Sequence, residues 1–471
     1  MVISSLADGV LRGVENVTDG VSATFFEPTI RLGVTGLARS GKTVFITSLV
    51  ANMLNRGRML QLSAAQQGRI EAAYLQPQPD DTVPRFDYEA HLGDLTARAP
   101  RWPESTRAVS ELRLSLKVRP SGLFSGFQGP RTLHIDIVDY PGEWLLDLGL
   151  MDKSFAEWSA EVLDRIADRT CADAFRAQLV GVDPAARHEE TLAKDLAASF
   201  AAYLNAARAR GYYDCTPGRF LLPGDLEGSP VLTFAPLPVS GRGARGTLHR
   251  ELERRFEAYK KRVVQPFFRD HFARLDRQIV LVDVLGAVHS GPRAVEDMRL
   301  GMADILSSFR PGRNAFLTRL LNGRKVEKIL FAATKADHLH HSQHPQLTAL
   351  IEALTAEARD RAQFAGARTE ALSLASLRAT TEETRRVEGV EIGCVRGILE
   401  ESGKHAVFSP GALPEDPAHL LGPARAGAQR WLDVEYQAQR FAPTPLTLKP
   451  GDGPPHIRLD RAAEFLFGDK L

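Results

Sequence analysis

The residues with the clearest capacity for chemistry lie in the stretch GLARSGKT, at positions 36–43. Its glycines, lysine and threonine match the spacing G-x-x-x-x-G-K-[ST], which is typical of a loop that wraps around phosphate groups. The glycines let backbone N–H groups approach the phosphates, the lysine binds the terminal phosphates, and the threonine hydroxyl is a ligand for Mg²⁺. We therefore expect this loop to bind a nucleotide. The predicted contacts are Gly36, Ala38, Arg39, Ser40, Gly41, Lys42, Thr43 and Val44.

The flanking sequence predicts the elements that such a loop needs. Residues 29–35, TIRLGVT, alternate between apolar and polar side chains as in a strand, and residues 44–54, VFITSLVANML, have apolar residues at helical spacing. A strand, a loop and a helix in this order point the helix N-terminus at the phosphates. The alternative is a glycine-containing turn before a helix without a ligand, and this context makes it the weaker interpretation.

A second motif, DYPG at 139–142, follows a predicted strand of alternating apolar residues. Asp139 is expected to belong to the Mg²⁺ shell, and the backbone N–H of Gly142 to approach a γ-phosphate. The preceding stretch at 112–118 alternates strictly, so the two strands are predicted to form an antiparallel hairpin. A hairpin that leads into this motif resembles the arrangement in Ras-like GTPases.

That resemblance makes the segment before the hairpin, RWPESTRAV at 101–109, a loop whose threonine contacts Mg²⁺ and the γ-phosphate. Thr106 is the candidate, with Ser105 as the second choice. The alternative is that both residues only cap or turn the chain.

Catalysis depends on the residue next to the DYPG glycine. Many GTPases have a glutamine at this position, whereas this chain has Glu143. A carboxylate beside a triphosphate adds a like charge, so we expect it to hold a proton or to point away, and intrinsic hydrolysis to be slow. Arg39 and Arg107 are candidates for stabilising the developing charge. The candidate catalytic residues are Glu143, Arg39 and Thr106.

The base is predicted by TKAD at 334–337, which follows a buried-strand pattern. The carboxylate of Asp337 would accept the ring N–H and the exocyclic amine of guanine, whereas adenine offers the opposite pattern and would leave the carboxylate unpaired. TKAD resembles the [NT]KxD element of GTPases. The resemblance implies that the stem of Lys335 covers the base and that Thr334 makes a bracing hydrogen bond to the phosphate loop. A further predicted strand ends where backbone N–H groups would bind the guanine carbonyl oxygen. Those N–H groups belong to Ala375, Ser376 and Leu377. GTP or GDP with Mg²⁺ is therefore the expected ligand, and an ATPase or a nucleotide-gated scaffold with negligible turnover are the alternatives.

Five stretches together resemble the YcjX-like family of bacterial P-loop proteins, which is linked to stress responses. They are GLARSGKTVFITSLV, IVDYPGEWLLDL, RQIVLVDVL, KILFAATKADHLHHSQHPQL and LASLRAT. The resemblance implies a cytoplasmic GTP-binding protein and GTPase. Genes of this family often lie beside one for a membrane protein, which implies a membrane-protein partner as a candidate.

The motifs are farther apart than in a minimal GTPase, and much of the additional chain has helical periodicity. We predict an α/β fold, a P-loop NTPase of the Ras-like GTPase type with a mixed, mostly parallel sheet. Four regions are expected. They are 1–143 (an N-terminal helix and the first part of the core), 144–275 (a mainly helical insertion), 276–380 (the second part of the core) and 381–471 (a C-terminal extension packed on the core).

Composition limits the other classes of function. The 59 Lys and Arg residues nearly balance the 58 Asp and Glu residues, so no overall field favours nucleic acid, and we expect none to bind directly. The basic stretch at 242–277 is interpreted as an amphipathic helix with a solvated face, with a nucleic-acid or lipid surface as the alternative. The three cysteines are far apart in the sequence and form no CxxC motif, which is typical of reduced thiols in a cytosolic protein. No apolar run is long enough to predict a membrane span.

Two groups of side chains leave alternatives open. Four histidines follow the base motif: His338, His340, His341 and His344. We interpret them as lining the loop beside the base, and metal binding is the weaker alternative because no cysteine joins them and Asp337 is assigned to the base. The tryptophans Trp102, Trp144 and Trp158 flank the predicted switch segments, where core packing and a partner surface are comparable interpretations.

Overall fold

In the computed structural model, seven strands form the central sheet. They are β1 (Thr29–Gly36), β2 (Ile70–Gln76), β3 (Ser110–Val118), β4 (Arg131–Asp139), β5 (Arg277–Val282), β6 (Lys328–Ala333) and β7 (Arg368–Ser373). Their order across the sheet is β2-β3-β4-β1-β5-β6-β7. The strands from β4 to β7 run parallel to β1, whereas β3 is antiparallel to both of its neighbours. This is the mixed, mostly parallel sheet of an α/β fold that the sequence predicts.

The structure describes the chain in six segments. They are 27–36, 39–104, 108–121, 129–307, 326–431 and 436–471, with backbone only at 304–307. The predicted N-terminal helix, Ala38 of the phosphate loop, and the switch-loop residues Ser105, Thr106 and Arg107 lie outside these segments.

The predicted hairpin is observed, and its register places Ser110 of β3 opposite Asp139 of β4. Strict alternation buries Leu112, Leu114 and Leu116 on one side of β3. The edge strand β2 was not predicted. Its sequence, IEAAYLQ, buries only Ile70 fully, because an edge strand has one neighbour and little of either face covered.

The described segments contain sixteen α-helices. They are α1 (Lys42–Leu54), α2 (Ser63–Gln66), α3 (Tyr88–Thr96), α4 (Glu143–Leu146), α5 (Phe155–Arg165), α6 (Asp173–Val180), α7 (Glu190–Ala209), α8 (Gly218–Leu221), α9 (Leu248–Tyr259), α10 (Gln265–Asp270), α11 (Val284–Ser290), α12 (Pro292–Ser307), α13 (His344–Leu354), α14 (Ala356–Phe364), α15 (Ala418–Arg425) and α16 (Leu459–Phe467). Within the described segments no helix is both long and apolar enough to cross a membrane.

The central sheet buries a different set of helices on each face. One face packs against α1 and α16, and its apolar residues form a single cluster with Leu32, Phe45 and Phe467. The other face joins α11 to α14 and the apolar core of residues 144–275. Successive side chains of a strand point to opposite faces, so a sheet covered on both sides has two separate apolar clusters. Helix α16 packs in one of them and is therefore part of the hydrophobic core.

Residues 144–275, all of which the structure describes, form helices and connecting turns without a strand. Their centre is aromatic: Trp158 stacks on Phe256 with ring centroids 5.0 Å apart and meets Phe200 and Phe234 edge-on. Stacked and edge-to-face rings fill such a core well, and Trp158 is therefore a packing residue. The basic helix α9 belongs to the same core through the ring of Phe256.

A second, antiparallel sheet follows β7. Its strands are β8 (Thr381–Val387), β9 (Val390–Leu399), β10 (His405–Phe408) and β11 (Phe441–Ala442). Within the region 381–471, the alternating apolar residues of 388–396 and 404–409 predict two strands, which lie close to β9 and β10. β8 and β11 were missed, because β8 is polar and mostly exposed and β11 has only two residues.

Candidate functional site

A cleft of about 350 Å³ lies at the carboxyl ends of β1, β6 and β7, where ligands bind in open α/β sheets. It brings together most of the phosphate loop, the TKAD motif and the loop after β7. Its lining residues are Arg39, Ser40, Gly41, Lys42, Thr43, Val44, Trp102, Pro103, Glu104, Thr334, Lys335, Asp337, His338, Ala375, Ser376, Leu377, Glu400, Arg440 and Phe441. Stretches that are hundreds of residues apart in the chain therefore share one cavity.

The phosphate loop has the geometry that its sequence predicts. Gly41 has φ 80°, in the left-handed region that favours glycine, and precedes the first turn of α1. A Cβ atom at Gly36 would lie 2.3 Å from Ser40 Oγ and 2.6 Å from the Leu281 carbonyl oxygen, so only glycine fits there. The Lys42 ammonium donates to the Gly36 carbonyl at 3.0 Å, so the charged group lies beside the first residue of the loop. Within the described segments the buried Ser40 hydroxyl has no hydrogen-bond partner.

Residues 102–104 line the cleft. The indole N–H of Trp102 donates to the Phe441 carbonyl of β11 at 2.8 Å, and the Thr43 hydroxyl donates to the Glu104 carbonyl at 3.4 Å. The segment thus connects α1 to the second sheet. Trp102 lines the cleft, so its role here is at the site, whereas Thr106 lies beyond the last described residue of this segment.

The TKAD motif forms the opposite end of the cleft. Lys335 has φ 62° and pairs with Asp283 at the end of β5. Asp337 is only 4% exposed, and its Oδ2 accepts the backbone N–H of Ala379 at 2.9 Å. Thr334 donates its hydroxyl to the Val282 carbonyl at 3.3 Å, which holds the start of the motif against β5. A buried carboxylate in a fixed orientation is suited to reading a pair of donors.

The chain's C-terminal part holds this end of the cleft. Ala375 and Ile457 exchange backbone hydrogen bonds of 3.1 and 2.9 Å. The guanidinium of Arg458 donates to the carbonyl and hydroxyl of Ser373 at 3.0 and 2.8 Å. Sequence reasoning missed these braces and also the cleft residues Glu400, Arg440 and Phe441, because no motif or periodicity marks them.

His338 and Phe441 form an aromatic edge of the cleft. Their rings meet edge to face with centroids 5.1 Å apart. Burial lowers the pKa of His338, so its imidazole is neutral at neutral pH. Of the four clustered histidines, only His338 lines the cleft, and His344 instead binds the Ala336 carbonyl through Nε2 at 2.8 Å.

The DYPG motif lies beside the phosphate loop without lining the cleft. Asp139 is 1% exposed at the end of β4, and its register partner on β1 is Val34, two residues before Gly36. Gly142 precedes α4, the short helix that begins at Glu143. The structure therefore places Asp139 and Gly142 at the end of the sheet from which the predicted phosphate loop extends.

Glu143 is directed at the helical insertion. Its Oε1 lies 2.8 Å from the guanidinium of Arg208 near the end of α7, and the residue is 5% exposed. A charge held in this ion pair does not act as an isolated carboxylate next to the phosphate loop. Of the two expectations for Glu143, the geometry corresponds to a side chain that points away.

Residues 144–147 are enclosed by the later helices α8 and α9. Trp144 lies under the guanidinium of Arg219 at 3.3 Å and donates its indole N–H to the Leu222 carbonyl at 3.2 Å. Asp147 accepts the Gly218 N–H at 2.7 Å and the Tyr259 hydroxyl at 2.5 Å. A Cβ atom at Gly218 would lie 2.2 Å from the Glu143 carbonyl oxygen, so this close approach requires glycine.

The buried Asp147 makes stability depend on pH. Burial raises its pKa to about 7, although the hydrogen bonds from Tyr259 and Gly218 act in the opposite direction. The folded-state pKa thus exceeds that of an unfolded aspartate, and the folded protein binds the additional proton. Stability should therefore fall as pH rises from about 4 to about 7 and stay at the lower value above that.

Asp147→Asn is expected to remove this contribution, because the amide is uncharged. Its oxygen can accept the Gly218 N–H, and its NH₂ group can donate to the Tyr259 hydroxyl oxygen. Urea unfolding at about pH 5 and about pH 8 measures it. The decrease in the free energy of unfolding should be larger for the wild type than for the variant, by on the order of 2 kcal/mol. Equal decreases would contradict a protonated Asp147 in the folded protein.

Comparison with known proteins agrees with this architecture. The family model described as YcjX-like family, DUF463, matches residues 30–471. A protein named Ras-like GTPase YcjX from Escherichia coli (strain K12) is 39% identical over 457 residues, which cover 94% of this chain and 96% of that protein. Its namesake from Shewanella oneidensis is 35% identical over 468 residues, covering 94% of both chains. The sheet with its loop after β1 is accordingly a P-loop NTPase fold of the Ras-like type. The chain belongs to the YcjX-like family.

Proposed function

We propose that this protein is a Mg²⁺-dependent GTP-binding protein that hydrolyses GTP slowly and acts as a molecular switch. The observation that carries the proposal is the position of Asp337, whose buried carboxylate lines the same cleft as the phosphate loop. Two relatives that match nearly the whole chain are named Ras-like GTPases, which supports the same ligand.

The residues present fit a guanine nucleotide. Loop N–H groups and the Lys42 ammonium would hold the phosphates, in place of the contact that Lys42 makes with the Gly36 carbonyl. Asp337 would accept two donors from the base, with Lys335 over its face. Backbone N–H groups of Ser376 and Leu377 would meet the guanine carbonyl oxygen. The N–H of Ala375, predicted for the same role, is instead donated to the Ile457 carbonyl. These contacts separate guanine from adenine, which lacks that donor pair.

Oxygen atoms suited to Mg²⁺ lie at the phosphate end. The Thr43 hydroxyl and the Asp139 carboxylate are at the ends of neighbouring elements, and Thr106 is the predicted third contributor. Mg²⁺ neutralises phosphate charge when bound. We assign Gly142 to the γ-phosphate and Arg39 to the developing charge, and we expect Glu143 to contribute little to catalysis because Arg208 holds it.

Single-turnover assays with GTP and ATP test the proposal. We expect phosphate release from GTP with Mg²⁺ at a slow rate, and no displacement of a fluorescent GDP analogue by ATP at concentrations where GTP displaces it. Binding of GTP without measurable phosphate release would favour the nucleotide-gated scaffold. Equal competition by ATP would favour the ATPase. The stress-related role, the cytoplasmic location and the membrane-protein partner that the family resemblance implies stay predictions.

Two substitutions break the Glu143–Arg208 pair from opposite sides. Glu143→Gln removes the negative charge near the γ-phosphate, so GTP affinity should rise on the order of threefold, with the single-turnover rate nearly unchanged. Arg208→Gln leaves that charge unpaired, so GTP affinity should fall by a similar factor. Affinity for GDP, which lacks the γ-phosphate, serves as the internal control. A large loss of single-turnover rate in Glu143→Gln at unchanged GTP affinity would instead identify Glu143 as a catalytic residue.

A further inference from the structure

Outside the cleft, three potential metal ligands converge between the base-motif loop and the second sheet. The ligand atoms of His340, His341 and Glu382 all lie within 4.8 Å of one another. Glu382 Oε2 is 2.6 Å from His341 Nδ1 and 4.0 Å from His340 Nε2. The sequence shows the two histidines but not the carboxylate, because Glu382 joins them only when β8 folds back beside the loop.

The surroundings hold His340 in a ligand orientation. Its ring rests on the backbone of β9 at Gly393, where an added Cβ atom would lie 2.7 Å from the imidazole Cγ. A glycine inside a strand often marks such a close approach. His340 Nδ1 lies 2.9 Å from the Ser342 hydroxyl. A metal ion at Nε2 requires the ring proton on Nδ1, which would then donate to the Ser342 hydroxyl in place of the contact that Nδ1 makes with the Ser342 backbone N–H at 3.4 Å.

Glu382 is supported from its other side. The guanidinium of Arg378 lies 3.4 Å from Oε1, which leaves Oε2 for the histidines. Metal-binding histidines and carboxylates usually have such partners on their second polar atom, because these partners fix the orientation of the ligand. His340 and Glu382 both have one, so the group has more order than a chance surface cluster.

We propose that His340, His341 and Glu382 form a binding site for a divalent transition-metal ion, with Zn²⁺ as the best fit. Two imidazole nitrogens and one carboxylate oxygen are a common protein donor set for Zn²⁺, with solvent as the fourth ligand. Ligand atoms around a tetrahedral zinc ion are roughly 3.4 Å apart, a value between the two distances measured here. Mg²⁺, which prefers oxygen ligands, fits this donor set poorly.

The metal site would link two parts of the chain that both line the cleft. The histidines follow Asp337 in the chain. Glu382 belongs to the second sheet, and the cleft is also lined by Phe441 of that sheet and by Glu400, which directly follows β9. A bound ion would thus fix the second sheet to the base-motif loop. This consequence rests on the proposed function, whereas the metal site itself does not.

Calorimetric titration of the full, metal-free chain with ZnCl₂, in excess Mg²⁺ and reductant, tests the site directly. We expect one Zn²⁺ per chain with a Kd of about 1 µM or tighter, and a visible absorption spectrum with CoCl₂ typical of nitrogen and oxygen ligands. His341→Gln and Glu382→Gln should each weaken Zn²⁺ binding roughly tenfold or more. The His341 side chain is 69% exposed, so its substitution carries little risk to folding.

Two exposed residues elsewhere provide matched controls, His419→Gln and Glu415→Gln, which should bind Zn²⁺ like the wild type. Wild-type affinity in His341→Gln and Glu382→Gln, or no binding by the wild type, would overturn the proposal. Zn²⁺ should also raise the affinity for a fluorescent GDP analogue in the wild type and not in Glu382→Gln. An unchanged GDP affinity would overturn the coupling, and no GDP binding at all would contradict the proposed function while calorimetry still decides the metal site.

Discussion

Asp337→Asn is expected to lower the affinity for GTP by about 2–4 kcal/mol, which is roughly 30- to 1,000-fold. The Ala379 N–H determines how the amide sits, because it binds the oxygen that replaces Oδ2. The amide nitrogen then takes the other position and points a donor at a donor of guanine. Xanthine has a carbonyl at that place, so the variant should prefer xanthosine triphosphate to GTP.

Competition of unlabelled nucleotides against a fluorescent GDP analogue measures both effects in wild type and variant. Glu400→Gln is the matched control, because it removes a negative charge from the same cleft without touching the TKAD motif. It should not create a preference for xanthine. Displacement of the probe from the wild type by ATP as readily as by GTP would show that Asp337 does not read guanine.

Lys42→Ala is expected to weaken GTP binding roughly ten- to hundredfold, or about 1.4–2.7 kcal/mol. The side chain is the point charge of the phosphate loop, and its ammonium already lies beside the loop through the Gly36 carbonyl. Alanine removes the charge without disturbing α1, since it is a good helix former. Titration calorimetry with GTP and with GDP measures the loss, which should be larger for GTP.

Thr43→Ala distinguishes the contribution of Mg²⁺ to GTP affinity from the contribution of the Lys42 charge. Its GTP affinity should be reduced when Mg²⁺ is present and should approach that of the wild type when Mg²⁺ is chelated. An unchanged GTP affinity in Lys42→Ala would remove the phosphate-loop assignment, whatever Thr43→Ala shows.

The parts of the fold that could be predicted are those in which a short stretch of sequence is enough to determine the element. β3 and β4 have alternating apolar residues and a turn-rich connection, so their antiparallel pairing follows from local pattern. The phosphate loop and the TKAD motif follow buried strands, and the carboxyl ends of parallel strands meet at one edge of the sheet. Their shared cleft is a consequence of that topology.

The remaining parts depend on contacts between distant residues that leave no pattern. Trp102 and Phe441 are 339 positions apart, and Arg458 and Ser373 are 85 apart. A single hydrogen bond or ion pair does not impose a periodicity on the sequence. The partner of Glu143 could not be predicted either, since residues 144–275 contain many arginines and no pattern distinguishes Arg208 from the others.

Helices α8 and α9 enclose Trp144 and Asp147, and this enclosure restricts how a partner can control the proposed switch. Residues 143–148 have almost no exposed surface, so a regulator would act through the helices that cover them. Thermodynamic linkage makes this control reciprocal: a regulator that tightens GTP binding by some factor is itself bound more tightly, by the same factor, when GTP is present. The helices that cover residues 143–148 would therefore couple the binding of a regulator to the binding of GTP.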